Sequence, residues 1–426
     1  MSANFNIKKS AFLAAVILIA VSVAQFAQST SNQRYWMKIR ATDKFQRSVI
    51  ANIVGIENTK EDYVVAFGGE EELKQIQKLG WLMSYSNLAE EAHFSTKDFP
   101  QKDSAFHNYA EMTAELAKLA NENPTLVTMS SIGNSTEGRA TWVLRLGADQ
   151  SHASEKPSVI FMGGHHAREH LSMEMPLMLA QYLVNQYKAG NERVVGLMKN
   201  RDIHIIPMVN PDGAEYDIQD GSYKMWRKNR SKNADGTFGT DLNRNYGFQW
   251  GTGGSSTNPS NDTYMGTKPF SEPETVNIKN YVESNSNITI LLSFHTYSQL
   301  ILYPWGHKYD GIENGKDLQV HEVMAKKMAE WNKYAPQQAS DLYIASGDTT
   351  DWAYGVHKIF SFTFELDPSQ ASGGFGGGGF YPGAGVIQPV FDKNIEPCLY
   401  LLEYADNPYR TLSINVGPIG PTTPAP

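Results

Sequence analysis

Ser158-Val159-Ile160-Phe161-Met162-Gly163-Gly164-His165-His166-Ala167-Arg168-Glu169-His170 is the stretch on which the fold turns. An apolar run suited to a buried strand stops at two glycines, and polar side chains of unusual type follow at once. The same arrangement recurs after Ile203 to Val209, after Ile288 to Phe294 and around Phe360 to Leu366. From Asp98 to about Arg410 strand patterns alternate with helix patterns, which predicts an α/β sheet covered on both faces. In open sheets of this class the ligand crevice lies beyond the carboxyl ends of the strands, so the four strand ends are expected to converge.

What stands at those ends is chemistry for a metal. His166 and His170 are four residues apart, on one helix face, with Glu169 as a base between them, the pattern of inverted zincins. Alternatively His166 and Glu169 are both ligands and a distant histidine completes a two-histidine, one-carboxylate site with an open fourth position. His295, in Ser293-Phe294-His295-Thr296-Tyr297-Ser298, directly follows an apolar strand and supplies that histidine. Asp241, in Asp241-Leu242-Asn243-Arg244, is suited to orienting a ligating imidazole.

A hydrolytic site also needs a proton acceptor. In Phe360-Ser361-Phe362-Thr363-Phe364-Glu365-Leu366 aromatics alternate with polar residues, and Glu365 falls on the polar face. A carboxylate in an otherwise apolar strand is costly unless used, and general base then acid is its expected job. Arg168, Arg227 and Arg244 stand among these motifs, and guanidinium forks bind carboxylates or stabilise an oxyanion.

The rest of the chain sets bounds. Its 426 residues are 41% hydrophobic and 19% charged, which is globular composition. Acidic residues outnumber basic ones 45 to 37, and no Lys/Arg cluster points to a nucleic acid. Lys8 and Lys9 precede an apolar run to Ala24, read as a cleaved export signal at 1–24, after which no segment suits a membrane. Cys398 is the one cysteine and reads as a buried hydrophobe. Residues 25–97 carry a separate α+β pattern: strands at Tyr35–Ile39, Asp62–Phe67 and Trp81–Tyr85, helices at Asp43–Ile53 and Glu70–Leu79. Gly373–Gly379 lacks the context of a phosphate loop and reads as mobile, and the Pro-rich tail 411–426 as disordered.

The motifs His166-x-x-Glu169, Met225-Trp226-Arg227-Lys228, Asp241-Leu242-Asn243-Arg244, Ser293-Phe294-His295-Thr296-Tyr297-Ser298 and Phe362-Thr363-Phe364-Glu365 resemble, in order and spacing, zinc carboxypeptidases of the pancreatic A/B type. His165-His166-Ala167-Arg168-Glu169-His170 and Ser346-Gly347-Asp348-Thr349-Thr350-Asp351-Trp352 are most similar to the bacterial carboxypeptidase T branch. The resemblance spans Asp98 to Pro408 and implies a mixed eight-stranded sheet between helices, preceded by a small α+β propeptide. It implies a secreted, monomeric zymogen of catalytic domain 98–410, cut near Lys97-Asp98 by an activating protease and releasing single residues from peptide C-termini. On this likeness His166, Glu169 and His295 hold zinc, with His170 only a neighbour, and Glu365 is the catalytic glutamate. Arg227 polarises the scissile carbonyl, Asn243 and Arg244 grip the terminal carboxylate, Arg168 lines the next subsite inward, and Tyr343 caps the substrate. Thr350 then forms the floor of the side-chain pocket with Asp348 on its wall, an arrangement for apolar and aromatic residues plus Lys and Arg. One departure concerns calcium: the loop 151–158, acidic in carboxypeptidase T, has the single carboxylate Glu155, which argues against Ca2+ there and leaves Glu111 for a separate weak site. A zinc hydrolase of the same fold acting on another amide remains the rival.

Overall fold

The computed structural model describes residues 33–87, 99, 103–219, 223–369 and 379–413. The export signal, the cut point near Lys97-Asp98, most of the Gly373–Gly379 loop and the tail beyond 413 lie outside the described residues.

The N-terminal unit runs β1 (Arg34–Arg40), α1 (Lys44–Ala51), β2 (Gly55–Thr59), β3 (Tyr63–Gly69), α2 (Glu70–Leu79) and β4 (Leu82–Asn87). Its four strands pair antiparallel in the order β2-β3-β1-β4. Asp43 caps α1 by accepting from the Gln46 N–H at 2.8 Å. Glu70, Glu71 and Glu72 complement the positive start of α2, and Gly80 closes it in the left-handed conformation. Met37, Ile39, Ile50, Val64 and Ile76 fill the core between sheet and helices. Strand β2 is an addition to the sequence reading, which passed from α1 directly to β3. Gly55-Ile56-Glu57-Asn58-Thr59 has no apolar alternation because both of its faces are covered and one of them packs on polar groups of the larger unit.

The larger unit contains α3 (Tyr109–Glu122), β5 (Val127–Asn134), β6 (Ala140–Leu146), β7 (Ser158–Gly163), α4 (His170–Lys188), α5 (Glu192–Asn200), β8 (Asp202–Ile206) and α6 (Pro211–Ile218). It continues with α7 (Pro273–Ser284), β9 (Ile288–Thr296), β10 (Leu300–Tyr303), α8 (Gly315–Asn332), β11 (Ala335–Gln338), α9 (Thr349–His357), β12 (Phe360–Leu366) and α10 (Ile387–Tyr404). The sheet is eight-stranded and mixed, in the order β11-β10-β12-β9-β7-β8-β6-β5. Alternate residues of the central strands feed two cores. Val159, Phe161, Ile290 and Leu292 meet α4, α8 and α10 on one face, while Ile160, Met162 and Leu291 meet α7 and α9 on the other. No described helix is long and apolar enough to cross a membrane.

Strands β12, β9, β7 and β8 are consecutive and mutually parallel, so their carboxyl ends share one edge, as expected. β8 stops at Ile206, short of the expected Val209, because Pro207 has no N–H for the ladder. At the end of β7 a Cβ on Gly163 would come within 2.1 Å of the Ser172 carbonyl oxygen. Only glycine lets the first turn of α4 lie this close to the strand, which sets His166 and Glu169 at the edge.

Candidate metal centre and substrate cleft

The loop from β7 into α4 delivers His166 and Glu169, and β9 delivers His295. Their ligand atoms lie within 4.8 Å of one another and all three residues are buried. Asp241 accepts from His166 Nε2 at 3.2 Å, so His166 Nδ1 carries the lone pair. That lone pair faces Glu169 Oε1 at 2.8 Å and His295 Nδ1 at 3.2 Å, and the second Glu169 oxygen lies 3.0 Å from His295 Nδ1. Lone pairs converging at such distances inside a buried site repel one another unless a cation stands between them. The donor set, two imidazoles and one carboxylate, fits zinc with a position left open.

His170, the inverted-zincin alternative, is outside this cluster. Its Nε2 lies 3.0 Å from Asp217 Oδ2 and its ring meets Phe99 edge-on.

Glu365 and His295 are register partners on the parallel strands β12 and β9. Burial, and next the Glu169 charge, push the Glu365 carboxyl up to about 8. Arg227 donates from Nε to Asp241 Oδ2 at 3.0 Å, and its Nη2 lies 2.9 Å from the same oxygen. Burial opposes the charge on Asp241, but Arg227 and then His166 outweigh it and keep the carboxyl well below its usual range. One aspartate thus fixes both an imidazole and a guanidinium. Glu365, Arg227, Asn243, Arg244 and Tyr343 line one cleft with His166 and Glu169. Arg244 is braced by its donation to the Gly254 carbonyl at 2.9 Å, and Asn243 Oδ1 accepts from the Thr349 N–H at 3.0 Å.

Asp348 and Thr350 stand on the same cleft wall. Asp348 caps α9, its Oδ1 accepting from the Asp351 N–H at 2.9 Å and from the Thr350 hydroxyl at 2.7 Å. The Thr350 hydroxyl is therefore tied to Asp348. Asp348 Oδ2 is buried with no hydrogen-bond partner among the described residues. Burial and then the Asp351 charge push the Asp348 carboxyl up to about 7.

Arg168 is fully buried and is not on the cleft wall while the N-terminal unit is in place. The reason is β2, whose residues Ile56 to Thr59 run along the cleft. The Arg168 guanidinium donates to Glu57 of that strand, to Met225 O at 3.2 Å and to Asp262 at 3.4 Å. Arg34 of the N-terminal unit takes the other Asp262 oxygen at 2.6 Å. Helix α1 grips the loop that carries Tyr343: Arg47 donates to the Leu342 and Asp341 carbonyls at 2.7 and 3.0 Å, and Ser48 Oγ accepts from Ile344 N at 2.9 Å. Glu57, Asp262 and Thr349 carry no role in the sequence reading. The short polar turn Lys60-Glu61-Asp62 before β3 was the one signal that a hairpin strand preceded it. Of the calcium candidates, Glu155 lies 3.1 Å from His152 Nδ1 and Glu111 closes a capping box on Asn108.

A family profile described as zinc carboxypeptidase matches residues 112–397. A zinc carboxypeptidase of Saccharothrix mutabilis subsp. capreolus is 40% identical over 320 residues, 73% of this chain and 72% of the relative. Carboxypeptidase B of Astacus astacus is 34% identical over 270 residues, covering 62% of this chain and 86% of that protein. The crystal structure of carboxypeptidase A from Helicoverpa armigera superposes with a TM-score of 0.70 over 90% of this chain and 99% of its own, at 23% identity, a likeness of fold.

Proposed function

The chain belongs to the zinc carboxypeptidase family and is a metallocarboxypeptidase, a hydrolase acting at peptide C-termini; from that premise we propose that it is exported as a zymogen and releases single residues of broad type. The observation that carries the reading is the meeting, in one cleft, of a His166–Glu169–His295 cluster, Glu365, Arg227 and the Asn243–Arg244 pair.

Zinc held by His166, Glu169 and His295 would supply a Lewis acid at the scissile carbonyl and ease deprotonation of the attacking water. Glu365 takes the proton from that water and returns it to the leaving amine. Arg227, its fork held by Asp241, stabilises charge developing on the carbonyl oxygen. Asn243 and Arg244 bind the free terminal carboxylate, which restricts the enzyme to the last residue, and Tyr343 closes over it. A peptide digest incubated with the enzyme should therefore yield free amino acids from unblocked C-termini and none from C-terminal amides. Cleavage of blocked peptides at equal rate would favour the rival amide hydrolase.

Asp348 gives the side-chain pocket its cationic option while Thr350 and the apolar lining of Leu302, Leu342 and Ala345 admit Leu, Phe and their kind. A charge-assisted bond in a desolvated pocket contributes roughly 1.5–3 kcal/mol, so Asp348→Asn should lower kcat/KM for terminal Lys and Arg by at least about tenfold and leave Leu and Phe nearly unchanged. The carboxyl is raised to about 7. It is thus neutral at lower pH, and the Lys-to-Leu ratio of kcat/KM should rise as pH rises through 7 in the original chain. That slope should vanish in Asp348→Asn. Equal losses for both classes would make Asp348 structural.

The N-terminal unit keeps the uncut enzyme inactive. Support comes from β2 lying along the cleft and from Glu57 holding Arg168, the group offered to the next substrate residue inward. An activating protease cutting near Lys97-Asp98 would release it. N-terminal sequencing of the secreted, active form should begin close to Asp98; full activity in a purified chain still starting near Gln25 contradicts the zymogen reading.

A further inference from the structure

We propose that Thr349 is a positioning residue that sets the Asn243 amide for the substrate carboxylate, backed by the buried hydrogen-bonding groups of His165 and Tyr246 behind its hydroxyl. The inference rests on the reading of Asn243 as a carboxylate-binding group.

Thr349 is the first residue of α9 and is 1% exposed. A first-turn N–H has no partner within its own helix. Here it donates to Asn243 Oδ1 at 3.0 Å, and the Thr349 hydroxyl lies 2.9 Å from the same oxygen. A backbone N–H can only donate, so the atom it meets is the amide oxygen, and Asn243 is left with its NH2 for the cleft it lines. An inverted amide would set its NH2 against the Thr349 N–H and turn an acceptor towards an anionic substrate. Both faults are costly in a desolvated site.

The hydroxyl is itself oriented from behind. His165 Nε2 lies 3.0 Å from Thr349 Oγ1 and 3.0 Å from the Tyr246 hydroxyl, and Ser293 Oγ lies 3.3 Å from His165 Nδ1. With Thr349 donating to Asn243, its oxygen is left to accept from behind, where His165 Nε2 and the Tyr246 hydroxyl both stand. Every member is buried except Asn243, whose other end opens on the cleft. Buried networks of this kind polarise successive bonds and fix a single rotamer.

The test uses the full chain, every variant given the same limited tryptic treatment, with a peptide substrate and with 3-phenylpropionate as a competitive carboxylate. Thr349→Val should raise both KM and the inhibitor Ki by about tenfold, with kcat within about threefold. Thr349→Ser, which keeps the hydroxyl, should restore both constants. If the valine variant melts early, Thr349→Ala removes the same hydroxyl and should show the same split. Unchanged KM and Ki in Thr349→Val or Thr349→Ala, or a serine variant as impaired as valine, overturns the proposal. Asn243→Ala separates the two levels. If it raises KM and Thr349→Val does not, only the positioning role fails. If Asn243→Ala leaves KM and Ki unchanged, the carboxylate reading fails and this inference with it.

Discussion

Glu365→Gln is expected to bind one zinc per chain as before and to lose about 10²–10⁴ in kcat, the range for a lost general acid–base group. Glutamine keeps the size and hydrogen-bonding reach of the side chain but cannot accept the proton. Glu365 belongs to β12, and His295 of the candidate metal cluster to its neighbour β9, so the isosteric change leaves the cluster untouched. The carboxyl stands at about 8 because it is buried and faces Glu169, with Glu57 adding to the rise. A cation at the cluster and removal of Glu57 with the N-terminal unit both act downwards, so in a preparation loaded with zinc and freed of that unit the acid limb of the kcat/KM profile should lie below 8. The base works as a carboxylate, so activity falls as pH drops through that limb, and the limb disappears in Glu365→Gln. Metal analysis and a pH profile on the same preparations check both halves. Zinc loss on Glu365→Gln, or a residual rate near the original, removes Glu365 from the role.

His295→Ala and His170→Ala should part company completely. His295 faces His166 and Glu169 with its Nδ1, so its removal leaves two ligands and strips the metal along with activity. Loss of a ligand costs far more than the 10–100-fold typical of an outer partner such as Asp241. His170→Ala should bind zinc normally and lose the contact with Asp217 and the ring packing on Phe99, Tyr223 and Tyr381. Equilibrium dialysis against zinc, followed by metal analysis, reads the difference. A His170→Ala chain without metal beside a His295→Ala chain that retains it would restore the inverted-zincin alternative.

Periodicity along the chain determined the sheet class and the four strands that meet at the site, because central parallel strands are covered on both faces and read as short apolar runs. It also exposed Glu365, since one carboxylate in Phe360–Leu366 stands out against aromatics. Residue type, spacing and the expected convergence of strand ends favoured His295 over His170, with the inverted zincin kept as a rival. The pairing of β7 with β9, a contact between segments more than a hundred residues apart, is what brings His295 to His166 and Glu169. Local pattern hid β2, a polar strand shaped by the surface it covers, and with it the burial of Arg168 under Glu57. Thr349 was invisible for a related reason. A threonine at a helix start reads as an ordinary first-turn residue until the tertiary structure brings Asn243 to its N–H and His165 to its hydroxyl. Sequence alone determined which chemistries the chain can perform. Tertiary structure decided which side chains share a proton, a charge or a rotamer, because those choices depend on distances of a few ångströms between residues that only folding makes neighbours.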